Sequence, residues 1–264
     1  VLHAAGHKAY ILGNIGTPFS QHVSEMKAGD FVSLEVSSFQ LETIRRFHPR
    51  VAAILNITPD HLDRYKDVAE YLRAKKRIRM NQDKNDFLVL NAGDPMLRGL
   101  DKEATSQVVF FNTPGDDQAL DQNQQAVVAI AGCLGICADV CRKVFADFKG
   151  VEHRMEFVRE LEGVVFINDS KATNIDSTVW ALKNIRRPAV LLAGGRDKGS
   201  DFASILPLVK EKVRRVVLVG EASDRIRAAW RGALPLEQAQ TFDEAVRAAY
   251  RSAIKGDCVL FSPM

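Results

Sequence analysis

Apolar runs at residues 9–12, 31–36, 51–56 and 87–90 alternate with stretches whose apolar residues recur at helical spacing, most plainly at 68–80, where Tyr71, Leu72, Ile78 and Met80 are interleaved with charges. Residues 51–55 (VAAIL) have no polar position at all. Strands covered on both faces by crossover helices read this way, so the run predicts a parallel sheet. The pattern resumes further along: 163–167, 189–193, 216–219 and 258–261 predict strands, and 177–185, 202–213, 221–230 and 242–253 predict helices. Asp243 and Glu244 open the last of these, where carboxylates meet the positive end of the helix dipole. The expected class is α/β. Gly150-Val151-Glu152-His153-Arg154 separates the two sets and predicts a domain junction near residue 150, while the polar stretch 114–125 reads as a loop.

Composition narrows the picture. With 264 residues, 46% hydrophobic and 26% charged, the chain suits one large or two medium globular domains, and fibrous or disordered classes are excluded. The apolar stretch 126–138 falls short of the roughly 18–20 residues that cross a bilayer, so no membrane span is expected. No charged, apolar and cleavage-site sequence follows Val1, which predicts a cytoplasmic protein. A net charge of +3 spread along the chain does not point to nucleic acid. Its one dense basic cluster is Arg73, Lys75, Lys76, Arg77 and Arg79; spacing alone reads it as a solvated helix face. Cys133, Cys137 and Cys141 recur every fourth residue, which would align them on one helix. Without a Cys-x-x-Cys pair and among apolar neighbours, they are expected to be buried, reduced thiols.

Candidate chemistry collects at strand ends. Residues 35–42 (EVSSFQLE) place a carboxylate and hydroxyls where open α/β sheets bind ligands, although a solvated strand end explains the residues as well. Residues 56–65 (NITPDHLDRY) end the next strand, and the carboxylate and imidazole donors suit Mg²⁺ or Mn²⁺. Residues 168–174 (NDSKATN) close one strand and open a helix, where backbone N–H groups and a lysine favour anions. Residues 194–199 (GGRDKG) end the following strand, and the paired glycines permit close backbone approach. A plain surface turn is the alternative for each of the last two.

Together with Gly13-Asn14-Ile15-Gly16 and His153-Arg154, these segments resemble the Mur ligases in order and spacing over nearly the whole chain. The resemblance implies an incomplete central ATP- and Mg²⁺-binding domain at 1–149, followed by a Rossmann-like C-terminal ligase domain at 150–264, with the active site in the cleft between them. It implies an ATP-dependent, amide-forming enzyme of peptidoglycan synthesis. Ser-Ser-Phe-Gln-Leu-Glu points to the branch that joins D-glutamate to UDP-N-acetylmuramoyl-L-alanine through an acyl phosphate. Carried over, Glu35 and His61 would bind Mg²⁺ (or Mn²⁺), helped by a carbamylated Lys75; Lys76 is the alternative if the alignment shifts by one. Asn14, Ser37 and Gln40 would contact the nucleotide precursor. Arg154, Asp169, Lys171 and Thr173 would line the ATP and acyl-phosphate side, with Lys171 catalytic beside His61 and Lys75. Lys198 would meet the D-glutamate carboxylate. A monomer is expected.

The departures matter equally. No Gly-x-x-x-x-Gly-Lys-Ser/Thr loop occurs, and neither does the His-Asn-x-x-Asn segment for adenine, for which Asn123 is a loose stand-in. The resemblance therefore implies a piece of a longer protein, without the family's nucleotide-holding N-terminal domain and its tail after Ser262-Pro263. Alternatives are a sister ligase or folylpolyglutamate synthase, a non-catalytic nucleotide-binding module, and a nucleic-acid binder through residues 73–79.

Overall fold

The structure is a computed structural model and describes residues 1–59, 61, 64–197 and 199–264. The chain divides into two compact units, Val1–Phe148 and Lys149–Met264.

The first unit runs β1 (Ala9–Gly13), α1 (Phe19–His22), β2 (Phe31–Glu35), α2 (Ser38–Glu42), β3 (Val51–Ile54), α3 (Val68–Lys76), β4 (Phe87–Asn91), β5 (Gln107–Phe111), α4 (Gln122–Cys133) and α5 (Ala138–Asp147). β1 pairs with β2, and β3, β4 and β5 form a second sheet in that order; every pairing is parallel. β4 explains why its sequence is a continuous apolar run. Leu88 and Leu90 pack on Tyr71 and Ala74 of α3, whereas Val89 packs on Ala126 of α4, so both faces are dry. α3 starts where the Asp67 carboxylate accepts the Glu70 N–H at 2.8 Å.

The second unit runs β6 (Glu156–Leu161), β7 (Val164–Asn168), α6 (Ile175–Asn184), β8 (Ala189–Gly194), α7 (Leu206–Lys212), β9 (Val213–Val219), α8 (Ser223–Trp230), β10 (Leu236–Gln238), α9 (Phe242–Ser252) and β11 (Cys258–Phe261). Its six-stranded sheet has the order β10-β9-β8-β11-β7-β6, with β6 antiparallel and the rest parallel. Strand alternation sorts the core. Ala189, Leu191 and Ala193 of β8 pack with α6, α7 and α8, while Val190 and Leu192 meet Ala245, Ala248 and Ala249 of α9. Alanines let α9 lie close to the sheet, and Thr241 starts it with a capping box to Glu244.

Three expectations change. The 114–125 stretch is not loop throughout, because Asp121 caps α4 in a capping box with Gln124 and the helix begins at Gln122. The three cysteines do not share one helix: α4 ends at Cys133, Gly135 turns the chain at φ +73°, and Cys137 stands in extended conformation just before α5. Cys141 is buried and Cys133 half-buried, but Cys137 is exposed, so the reading of all three as core thiols fails there. Strands β5, β6 and β10 are additions. No helix among the described residues is long and apolar enough to cross a membrane.

Candidate active site

In the first unit the ends of β1 and β2 lie in register, Gly13 opposite Glu35. Gly13 sits at φ +126°, and a Cβ there would stand 2.1 Å from the Glu35 carbonyl oxygen, so this close approach requires glycine. It brings Asn14 alongside: its backbone N–H donates to the Glu35 carbonyl at 2.9 Å, and its Nδ2 donates to Glu35 Oε1 at 3.2 Å. Glu35 is thereby oriented by another expected site residue while its carboxylate stays exposed. Ser37 and Gln40 form a capping box at the start of α2: Gln40 N–H donates to Ser37 Oγ at 3.3 Å, and Ser37 N–H to Gln40 Oε1 at 2.9 Å. Local helix capping alone explains both residue types.

His61 has φ +55°, in the left-handed region that non-glycine residues seldom occupy. Its ring meets Phe39 edge-on at 4.8 Å and lies 6.1 Å from Tyr71, while Lys75 Nζ stands 5.3 Å from the same Tyr71 ring. Two expected metal-side residues thus share one aromatic floor. Glu42 secures the far end of the loop, accepting from Arg64 NH2 at 2.7 Å and Tyr65 OH at 2.6 Å. Those two bonds hold the Glu42 carboxyl below the usual carboxylate range. Arg64 in turn covers Phe39 at 4.6 Å.

The basic cluster is not a solvated face. Lys76 and Arg79 both bind the Glu103 carboxylate, and Arg77 donates from Nε to Leu41 O at 2.7 Å and from NH2 to Ile44 O at 3.0 Å. Among the described residues the grouping of three potential metal donors is elsewhere: His48, Asp83 and Asp86 offer atoms within 4.8 Å of one another. Asp86 already serves the turn before β4, accepting from the Asp83 N–H at 2.8 Å and pairing with His48 at 2.5 Å and Arg50 at 3.6 Å. Burial resists its ionisation, but these three partners together keep its carboxyl below the ordinary range. That arrangement is a structural knot.

In the second unit two loops lie side by side. Lys171 N–H donates to His153 O at 3.1 Å, Asn168 Nδ2 lies 3.0 Å from His153 Nδ1, and it also donates to Glu156 Oε2 at 3.1 Å. His153 and Met155 both have positive φ, +66° and +47°. The Met155 N–H reaches Asp169 Oδ1 at 3.2 Å, while Ser262 Oγ donates to Asp169 Oδ2 at 2.9 Å. Asn174 caps α6 through the Ser177 N–H, and Thr173, just before it, is exposed. Gly194 N–H donates to Pro263 O, and the loop beyond is braced where Arg225 pairs with Asp197 at 2.5 Å. Lys198 lies outside the described residues. Glu42, quoted within its motif but given no role, holds the first-unit loop, while Glu156 and Ser262 hold the second-unit loops and went unrecognised, Ser262 because its partner Asp169 is distant along the chain.

Asp169 is only 1% exposed, and burial pushes its carboxyl above the usual range against Ser262, the Met155 amide and the Arg154 charge. A carboxyl raised in the fold binds protons that the unfolded chain releases. Its stabilising share is complete below the ordinary value of 3.8 and is lost as pH rises through the folded value. Asp169→Asn can keep the network, since either hydroxyl of the Thr178–Ser262 pair can donate. The stability of this variant relative to the parent is expected to improve from pH 4 to pH 7 in urea unfolding. A difference independent of pH would contradict the assignment.

The Mur ligase middle-domain model matches residues 4–131, and the model of the Mur ligase glutamate ligase domain matches 153–264. UDP-N-acetylmuramoylalanine--D-glutamate ligase of Thermoanaerobacter pseudethanolicus is 39% identical, covering 98% of this chain and 65% of the relative. The enzyme of the same name from Chlorobaculum parvum is 41% identical with the same coverage. The chain spans about 65% of the length of these curated relatives. The crystal structure of MurF ligase from Thermotoga maritima in complex with ADP matches in fold, with a TM-score of 0.75 at 16% identity over 97% of this chain and 77% of that one. The chain belongs to the Mur ligase family, with the middle domain in its first unit and the glutamate ligase domain in its second.

Proposed function

We propose that this chain supplies the middle and glutamate ligase domains of a cytoplasmic, ATP-dependent ligase that joins D-glutamate to UDP-N-acetylmuramoyl-L-alanine through an acyl phosphate. The observation that carries the reading is the pairing of the 153–155 and 168–174 loops, which gathers Arg154 and Lys171 at the end of β7 in a relative of enzymes bearing that name. Transfer of a phosphoryl group from ATP to a carboxylate, with ADP leaving as the new O–P bond forms, brings like charges together. Arg154 and Lys171 would offset the charge that grows on the phosphoryl oxygens, and Thr173 would donate its hydroxyl to them. Buried Asp169 holds the backbone from which these groups project.

Glu35 and His61 would hold Mg²⁺ or Mn²⁺, with a carbamylated Lys75 adding a carboxylate. The donor set fits: an exposed carboxylate oriented by Asn14 and an imidazole on an aromatic floor leave most coordination positions to phosphate and water, as Mg²⁺ prefers. When bound, the cation supplies neutralisation of the polyphosphate charge. Asn14, Ser37 and Gln40 would contact the nucleotide precursor, and Lys198 would meet the D-glutamate carboxylate. The test is an assay of the full-length natural protein with ATP, UDP-N-acetylmuramoyl-L-alanine and individual amino acids, following phosphate release. D-Glutamate is expected to be preferred; preference for L-lysine, diaminopimelate or glycine, or no turnover with any, overturns the proposal.

A further inference from the structure

The loop that carries His61 leaves β3 at Ile54, and the β3–β4 ladder ends there, with Ile54 opposite Leu90. Side chains continue the pairing beyond it. Asn91, 7% exposed at the end of β4, donates from Nδ2 to the Leu55 carbonyl at 2.9 Å. Its Oδ1 accepts from the Gly93 N–H at 2.9 Å and from Asn112 Nδ2 at 2.8 Å. Asp94 divides its carboxylate. Oδ1 accepts the Met96 N–H at 2.8 Å and starts the short turn Pro95–Leu97, while Oδ2 accepts the Ile57 N–H at 2.7 Å. The carbonyl before Asn56 and the amide after it are therefore both clamped from one neighbouring strand end. Ile57 then drops into the core beside Tyr65 and Tyr71, the second of which lies beside the His61 ring.

We propose that Asn91 and Asp94 are positioning residues for the His61 loop, fixing where the chain leaves the sheet and so where the imidazole stands for the cation. This rests on the role given to His61 above. The clamp has the form of an outer support to a metal-binding imidazole, acting here through the backbone rather than through the ring.

Asp94→Ser separates the two duties of the carboxylate. A serine hydroxyl can still cap the Met96 N–H, as serine does at helix starts, but it cannot also reach Ile57. Asn91→Asp is the second variant, for it keeps the acceptor for Gly93 and Asn112 and loses the donor to Leu55. The full-length natural protein carries each change, alongside His61→Ala. Amide exchange at Ile57 and Mn²⁺ affinity in the presence of ATP, read by electron paramagnetic resonance, are measured together with the melting midpoint. Expected are faster Ile57 exchange in Asp94→Ser, and, well below each variant's own melting midpoint, Mn²⁺ binding weakened about 10-fold to 100-fold in both clamp variants, the size seen when supports of metal ligands are removed. Unchanged Mn²⁺ affinity in the clamp variants, with weakened affinity in His61→Ala, overturns the positioning role alone. Unchanged affinity in all three variants overturns the metal role of His61 and the positioning role with it.

Discussion

Gly194→Ala is expected to lower the stability of the second unit by about 3–5 kcal/mol, the sum of a glycine-only backbone conformation and a steric overlap of comparable cost. Gly194 ends β8 at φ +137°, and a Cβ there would stand 1.8 Å from the Val219 carbonyl oxygen. That oxygen has no freedom to retreat, because it accepts the Gly195 N–H at 2.9 Å and belongs to the residue paired with Gly194 in the β8–β9 ladder. The loss is a large share of the roughly 5–15 kcal/mol that holds a typical domain. Gly232→Ala is the control: φ is also positive, +73°, but no atom lies within 4 Å of the added carbon. Urea unfolding of the two variants separates crowding from backbone strain, and equal midpoints would remove the steric explanation.

Lys171→Ala is expected to cut kcat of the full-length enzyme by about 10²–10³-fold, the usual loss when one preorganised charge-stabilising group is removed. Folding should be untouched. The backbone N–H of Lys171 is held by His153, whereas its half-buried side chain makes no ion pair or hydrogen bond among the described residues. The melting midpoint should therefore stay at the parental value, and Lys171→Arg should recover part of the rate by restoring the charge. A variant that turns over normally, or one that melts early in proportion to its lost activity, would remove Lys171 from the chemistry.

Most strands were legible because burial on both faces forces continuous apolar runs, as in β4 and β8. β6 carried no such signal: it is an edge strand whose Phe157, Val158, Arg159 and Glu160 are all exposed, so apolar and charged residues follow one another without a period. The cysteine spacing misled because four-residue periodicity presumes an unbroken helix, and Gly135 supplies the left-handed turn that breaks it. Residues 73–79 looked solvated since sequence shows charges but not the Glu103 carboxylate and the carbonyls of Leu41 and Ile44 that fold back on them. Dense strand-end motifs were visible as candidates. Asn91, Asp94 and Ser262 were not, because their contacts with Leu55, Ile57 and Asp169 join positions far apart in sequence that only the folded sheet brings together.

The four residues that end the chain join neighbouring features of the second unit into one mechanical piece. Phe261 O accepts the Asp169 N–H, Met264 N–H donates to Ala172 O, Ser262 N–H donates to Leu192 O, and Pro263 O accepts the Gly194 N–H. The backbone at Asp169 and Ala172, beside Lys171, and the backbone at Leu192 and Gly194 are thus tied to the same short segment. A substitution that loosens residues 261–264 is therefore expected to disturb both strand ends at once, read as faster amide exchange at Asp169 and at Gly194 together.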